Sequence, residues 1–101
     1  MIATETRDNG VVVWPTGDIM GEESDNFRND LAELANDSKG NITIDLRNVR
    51  YLDSSGLSAF VLCHKMLLRD GRKLVIVTDN DDLFGLFHMC RLDEVLDIRR
   101  P

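Results

Sequence analysis

A chain of 101 residues with 43% hydrophobic and 30% charged side chains is sized for a single small domain, residues 1–101, with a modest core. The formal net charge of −6 argues against general nucleic-acid binding, which depends on clustered lysine and arginine, and favours a basic protein partner. No stretch has the apolar length of a signal or membrane-spanning segment, and Cys63 and Cys90 make neither a C-x-x-C pair nor a disulfide framework, so a reduced, cytoplasmic setting away from membranes is expected.

In chain order, a short strand near Ile2 to Arg7 and the β-branched, aromatic run Val11–Trp14 flank Asn9-Gly10, the signature of a hairpin turn. Gly17 and Gly21 mark a loop. From Glu22, the residues Phe27, Leu31, Leu34 and Ala35 recur at helical spacing behind a cluster of acids, and Asn36–Gly40 ends that helix. Ile42, Ile44 and Leu46 alternate with Thr43, Asp45 and Arg47, as in a strand with one face in the core. Helical spacing returns after Asp53, with Leu57, Phe60, Val61, Leu67 and Leu68 on the buried face and Ala59, Leu62 and Met66 widening it. Gly71 stops this helix, Lys73–Thr78 forms a further strand, and Asp79–Asp82 supplies cap chemistry for a helix whose inner stripe is Leu83, Leu86, Phe87 and Cys90. A last short helix is expected around Leu92–Leu96, with Asp97–Pro101 as a tail. Together these predict an α/β domain with a small mixed sheet of four to five strands, parallel at its centre, and about four helices.

The segment with the most chemistry runs from Ile42 to Leu57, where a strand pattern leads into Asp53-Ser54-Ser55-Gly56 at the start of a helix. A helix start gathers unpaired N–H groups and roughly half a positive charge, so a phosphate on Ser54 or Ser55 would sit in a favourable field. The plainer reading of the same residues is an N-cap. A side chain missing at Gly56 would let a kinase approach the hydroxyl closely.

Other chemistries fit poorly. A hydrolase elbow needs Gly-x-Ser-x-Gly, and Leu52 stands where its first glycine belongs. His64 is ten helical residues beyond Ser54, about 15 Å by helical rise, and neither it nor His88 has a paired acid at a useful spacing. Asp45 and Asp53 read as separate residues rather than a metal pair, with Asp45 on the outer face of its strand. The Asp79–Asp82 cluster lacks the glycine and glutamate of a calcium loop. Cys63, Met66, Met89 and Cys90 read as core filling, and no cofactor motif accompanies them.

Asp53-Ser54-Ser55-Gly56-Leu57 after an apolar strand resembles the signature of the STAS domains of bacterial anti-sigma factor antagonists. Val12–Ile19, with Thr16-Gly17-Asp18-Ile19, is similar to that family's second strand and turn, and Leu83–Met89 to its third helix. The chain differs at Met20, often aspartate in the family, and at Cys90-Arg91, often Ser-Gly. The resemblance implies a non-enzymatic module, monomeric when free, without cofactor or metal. It would bind an anti-sigma factor that is also a serine kinase, and so release a sigma factor or other target. It further implies that Ser54, the serine directly after the aspartate, is phosphorylated to block binding, and that a serine phosphatase resets the switch. The implied partner surface comprises Asp18, Ile19, Met20, Gly21, Asp53, Ser54, Ser55, Gly56, Leu57 and Ser58, with the loop continuing to Glu23. The alternative is a STAS-like scaffold or small-ligand binder in which Ser54 only caps a helix.

Overall fold

The computed structural model describes residues 2–7 and 10–101. Its strands β1 (Ala3–Arg7), β2 (Gly10–Trp14), β3 (Asn41–Asp45), β4 (Leu74–Val77) and β5 (Asp97–Arg99) form one sheet in sequence order. β1 and β2 are antiparallel, and every later pairing is parallel. The parallel connections carry helices α1 (Glu22–Asp37), α2 (Ser54–Leu68) and α3 (Asp81–Met89). A sheet ordered as the chain is ordered sends each right-handed crossover the same way, which puts all three helices on one face and leaves the other uncovered.

The covered face buries Val11, Val13, Ile42, Ile44, Leu74 and Ile76. One phenylalanine from each helix meets above it. Phe27 and Phe60 pack edge to face with centroids 5.5 Å apart, and Phe60 lies 5.9 Å from Phe87, contacts worth roughly 0.5–1.5 kcal/mol each beyond the area they bury. α1 has no basic residue in its last turn. Arg72, from beyond the end of α2, supplies the missing charge, donating to the carbonyls of Ala35 at 2.7 Å and Ser38 at 3.0 Å.

Several expectations need correction. Asp97–Arg99 is not a tail but the fifth strand, since Ile98 pairs with Ile76 in the parallel ladder. The fourth helix is a single 3₁₀ turn, Leu92–Glu94, entered through Arg91 in the left-handed conformation. Leu62, Leu68, Met89 and Cys90 are exposed, because the buried arc of α2 runs through Ala59, Phe60, Cys63 and Leu67, while Met89 ends α3 and Cys90 lies just past it. Asp45 does project from the helix-free face of β3, yet it is buried there beneath Trp14 and Arg47. The turn at Asp8-Asn9 lies outside the described residues.

Candidate functional site

Two loops leave the carboxyl ends of β2 and β3 and remain joined. Gly17 N–H donates to Asn48 O at 3.1 Å, Ile19 N–H to Tyr51 O at 3.0 Å, and Asp53 N–H to Ile19 O at 3.2 Å. Ile19 and Leu52 thus form a parallel bridge that prolongs the β2–β3 pairing past the sheet. Both helices that follow, α1 and α2, therefore begin side by side.

The Asp53 carboxylate fastens these two starts together. As N-cap of α2 it accepts from Gly56 N–H at 2.9 Å, and across the gap it accepts from Gly21 N–H at 2.8 Å and from the Ser24 hydroxyl at 2.5 Å. Gly21, at φ 57°, holds a left-handed conformation that aims its N–H at this acid, and α1 has no side-chain cap of its own. Asp53 is held below the ordinary carboxylate range, first by the Ser24 hydroxyl and then by the two glycine amides. It remains an anion that two helix dipoles stabilise and that no cation among the described residues neutralises.

Ser54 follows at the first position of α2 and is exposed. Gly56 N–H is taken by the Asp53 side chain and Leu57 N–H by the Asp53 carbonyl, while the N–H groups and hydroxyls of Ser54 and Ser55 bond to none of the described residues. The Ser58 hydroxyl is engaged with the Ser55 carbonyl at 2.9 Å. Around Ser54 the surface is apolar and acidic: Met20 and Tyr51 are 49% and 54% exposed, and Glu22, Glu23 and Asp25 fill the first turn of α1.

The residues singled out from sequence are brought together, with unequal access. Asp18, Met20, Gly21, Ser54 and Ser58 are exposed, Asp53, Ser55 and Leu57 are half-buried, and Ile19 and Gly56 are buried. Gly56 does not open a path to the hydroxyl. A Cβ there would lie 3.3 Å from both the carbonyl oxygen and the Cγ2 of Ile19, so its absence lets the loop seat on α2. Ser24, fully buried, was missed; its only trace in the sequence is a hydroxyl where an otherwise apolar helix stripe faces inward.

Contrary to the expectation from spacing, His88 does meet an acid, Asp93 at 2.8 Å, which raises its pKa, but neither histidine is arranged as a base for Ser54, since His88 lies on α3 and His64 further along α2. Burial pushes the Cys63 thiol up to about 11, leaving it protonated at neutral pH. Among the described residues, no three His, Cys, Asp or Glu side chains are placed to hold a metal ion, and no helix is long and apolar enough to cross a membrane.

The profile of the STAS domain matches residues 1–100. The chain belongs to the STAS family. Among relatives of this STAS domain, an anti-sigma-B factor antagonist of Listeria monocytogenes is 38% identical over 58 residues, 57% of this chain, and the match spans about half, 51%, of that protein. The anti-sigma-B factor antagonist of Bacillus subtilis is 29% identical over 97 residues, 96% of this chain and 88% of the relative. The fold is shared with the crystal structure of an anti-sigma factor antagonist from Mycobacterium paratuberculosis, at a TM-score of 0.87 and 21% identity over 98% of this chain and 84% of the other.

Proposed function

We propose that this STAS domain is an anti-sigma factor antagonist controlled by phosphorylation of Ser54. In its unphosphorylated form it binds an anti-sigma factor that is also a serine kinase, and the kinase releases its sigma factor or other target. The observation that carries the reading is Ser54 itself: an exposed hydroxyl, unbonded among the described residues, at the first position of α2, beside an ionised Asp53 and an acidic turn of α1. The names of the relatives support the regulatory role.

The expected contact surface joins Met20 and Tyr51, as apolar anchors, to the exposed parts of Asp18–Glu23 and Ser54–Ser58. Its acidic rim fits a basic partner surface. A phosphate on Ser54 adds about −1.5 to −2 charges in that interface, where repulsion from the nearby acids and the cost of desolvation push the complex apart. Removal of the phosphate by a serine phosphatase restores binding. Ser55 is less accessible than Ser54, which favours Ser54 as the acceptor.

The test is to incubate the wild-type protein, Ser54→Ala and Ser55→Ala with ATP and each anti-sigma factor kinase of the source organism, and to locate phosphate by mass spectrometry. One phosphate on wild type and on Ser55→Ala, and none on Ser54→Ala, is the expected result. Labelling that survives in Ser54→Ala contradicts the assignment.

A further inference from the structure

The uncovered face of the sheet is a second surface, on the opposite side from the helices. Along β2 and β4 its outward residues Val12, Trp14, Val75 and Val77 are apolar and half-exposed. Parallel strands are ordinarily covered on both faces, and continuous apolar runs such as Val11–Trp14 and Leu74–Val77 are the pattern of strands buried twice over.

Cations ring this floor in a repeated arrangement. Arg7, Arg47 and Arg99 each turn the Nε–Nη2 edge of the guanidinium toward the acid two residues earlier on the same face, Glu5, Asp45 and Asp97 respectively. Each Nη1 is left without a hydrogen-bond partner among the described residues, and the Lys73 ammonium adds its charge beside Asp97. Asp45 is the best built of the three. It accepts from Trp14 Nε1 at 3.2 Å, from Arg47 N–H at 3.1 Å and from Arg47 Nη2 at 2.7 Å. Its side chain is 8% exposed while that of Arg47 is 52% exposed, so the carboxylate lies in the floor and the guanidinium faces outward. Arg7 sits 5.5 Å from the centre of the Trp14 ring. In all three pairs the arginine side chain is more exposed than its acid, so this face presents its cations outermost on a chain of net charge −6.

We propose that this face docks an acidic amphipathic helix of a partner protein, its apolar stripe on Val12, Trp14, Val75 and Val77 and its flanking carboxylates on the free guanidinium edges. The trough, about 780 Å³, lies open across the sheet, whereas small-molecule sites are concave. Five strands span about 19 Å, which a helix of about 13 residues crosses. A second copy would set the same guanidinium edges against each other, and a membrane surface or a nucleic acid would extend past this face onto the acidic remainder of the chain, as a helix of that length does not. The surface is independent of Ser54 phosphorylation.

The test uses the ¹⁵N-labelled full chain and two synthetic peptides of about 16 residues, one with a leucine stripe flanked by glutamates and one with the same stripe flanked by lysines. The acidic peptide should shift the amides of Val12, Thr43, Val75 and Val77, leave those of Ser54–Ser58 unmoved, and bind at least about tenfold tighter than the basic one. The double variant Lys73→Glu/Arg99→Glu, both at exposed positions, should remain folded and reverse that preference. Absence of binding at about 1 mM acidic peptide, equal binding of the two peptides, shifts centred on Ser54, or a concentration-dependent dimer occupying this face would overturn the proposal.

Discussion

Two aspartates organise opposite sides of this small domain by different means. Asp45 sits in the floor of the open sheet face and is answered by a cation and an indole. Its burial favours the neutral form, but the hydrogen bonds and charge of Arg47 outweigh that and hold its pKa below the ordinary range. Asp53 sits between two helix starts and, among the described residues, is answered only by backbone amides and a hydroxyl. One arrangement cancels a charge locally. The other stabilises a charge while leaving it visible to whatever approaches Ser54. A switch that works by adding negative charge needs the second kind of surroundings, because a pre-existing uncompensated anion makes the added phosphate more disruptive in an interface.

The comparison breaks most visibly if Asp53 is removed. Asp53→Ala should release Gly21, Ser24 and Gly56 together, lower the melting temperature more than the equivalent change at Asp45, and abolish binding to the anti-sigma factor, as read by thermal unfolding and titration calorimetry on the same samples. Gly56→Val tests whether the loop seat matters as much as the clamp. With a backbone carbonyl 3.3 Å from its Cβ, the larger side chain must push the Ile19 loop outward, costing about 1–3 kcal/mol in urea unfolding and weakening both partner binding and Ser54 phosphorylation.

Asp45→Ala sharpens the contrast from the other side. It strands Trp14 Nε1 and Arg47 and should cost about 1–2 kcal/mol, while Ser54 phosphorylation proceeds at the wild-type rate; a slowed reaction would mean that the two faces are coupled. Acid titration gives the smallest and broadest effect. Both aspartates have folded pKa values below their unfolded value of about 3.9, so their contribution to stability is complete above that pH and is lost as pH falls through the folded values. Urea midpoints should fall below about pH 4, with a shallower fall in Asp53→Asn, while the raised pKa of His88 adds a small stabilisation present below about pH 6.5 and lost as pH rises through the folded value.

Much of the fold was legible because its periodicities are undisturbed. Ile42, Ile44 and Leu46 alternate cleanly, and Phe27, Leu31 and Ala35 mark one face of α1. β5 escaped notice because Asp97-Ile-Arg has one apolar residue and owes its conformation to β4. The site was legible where local chemistry defines it, at Asp53-Ser54. It was not where a contact between distant segments does so: Gly21 and Ser24 lie 32 and 29 residues from Asp53 and carry no sign of the bond. The open-face ion pairs do leave a trace, an acid two residues before an arginine within β1 and β5 and at the end of β3, which becomes meaningful only once the strand period places both on one side.

The most direct measurement compares the affinity of one anti-sigma factor kinase for the unphosphorylated domain, for the domain fully phosphorylated at Ser54, and for Ser54→Asp, with melting temperatures recorded alongside. Affinity should fall at least about tenfold on phosphorylation and less in Ser54→Asp, while stability stays within about 1 kcal/mol in both, because an acid in the first turn of a helix is tolerated or mildly favourable. Undiminished affinity of the phosphorylated form, or a loss of affinity that merely follows a loss of stability, would contradict the account of Ser54 as a charge switch.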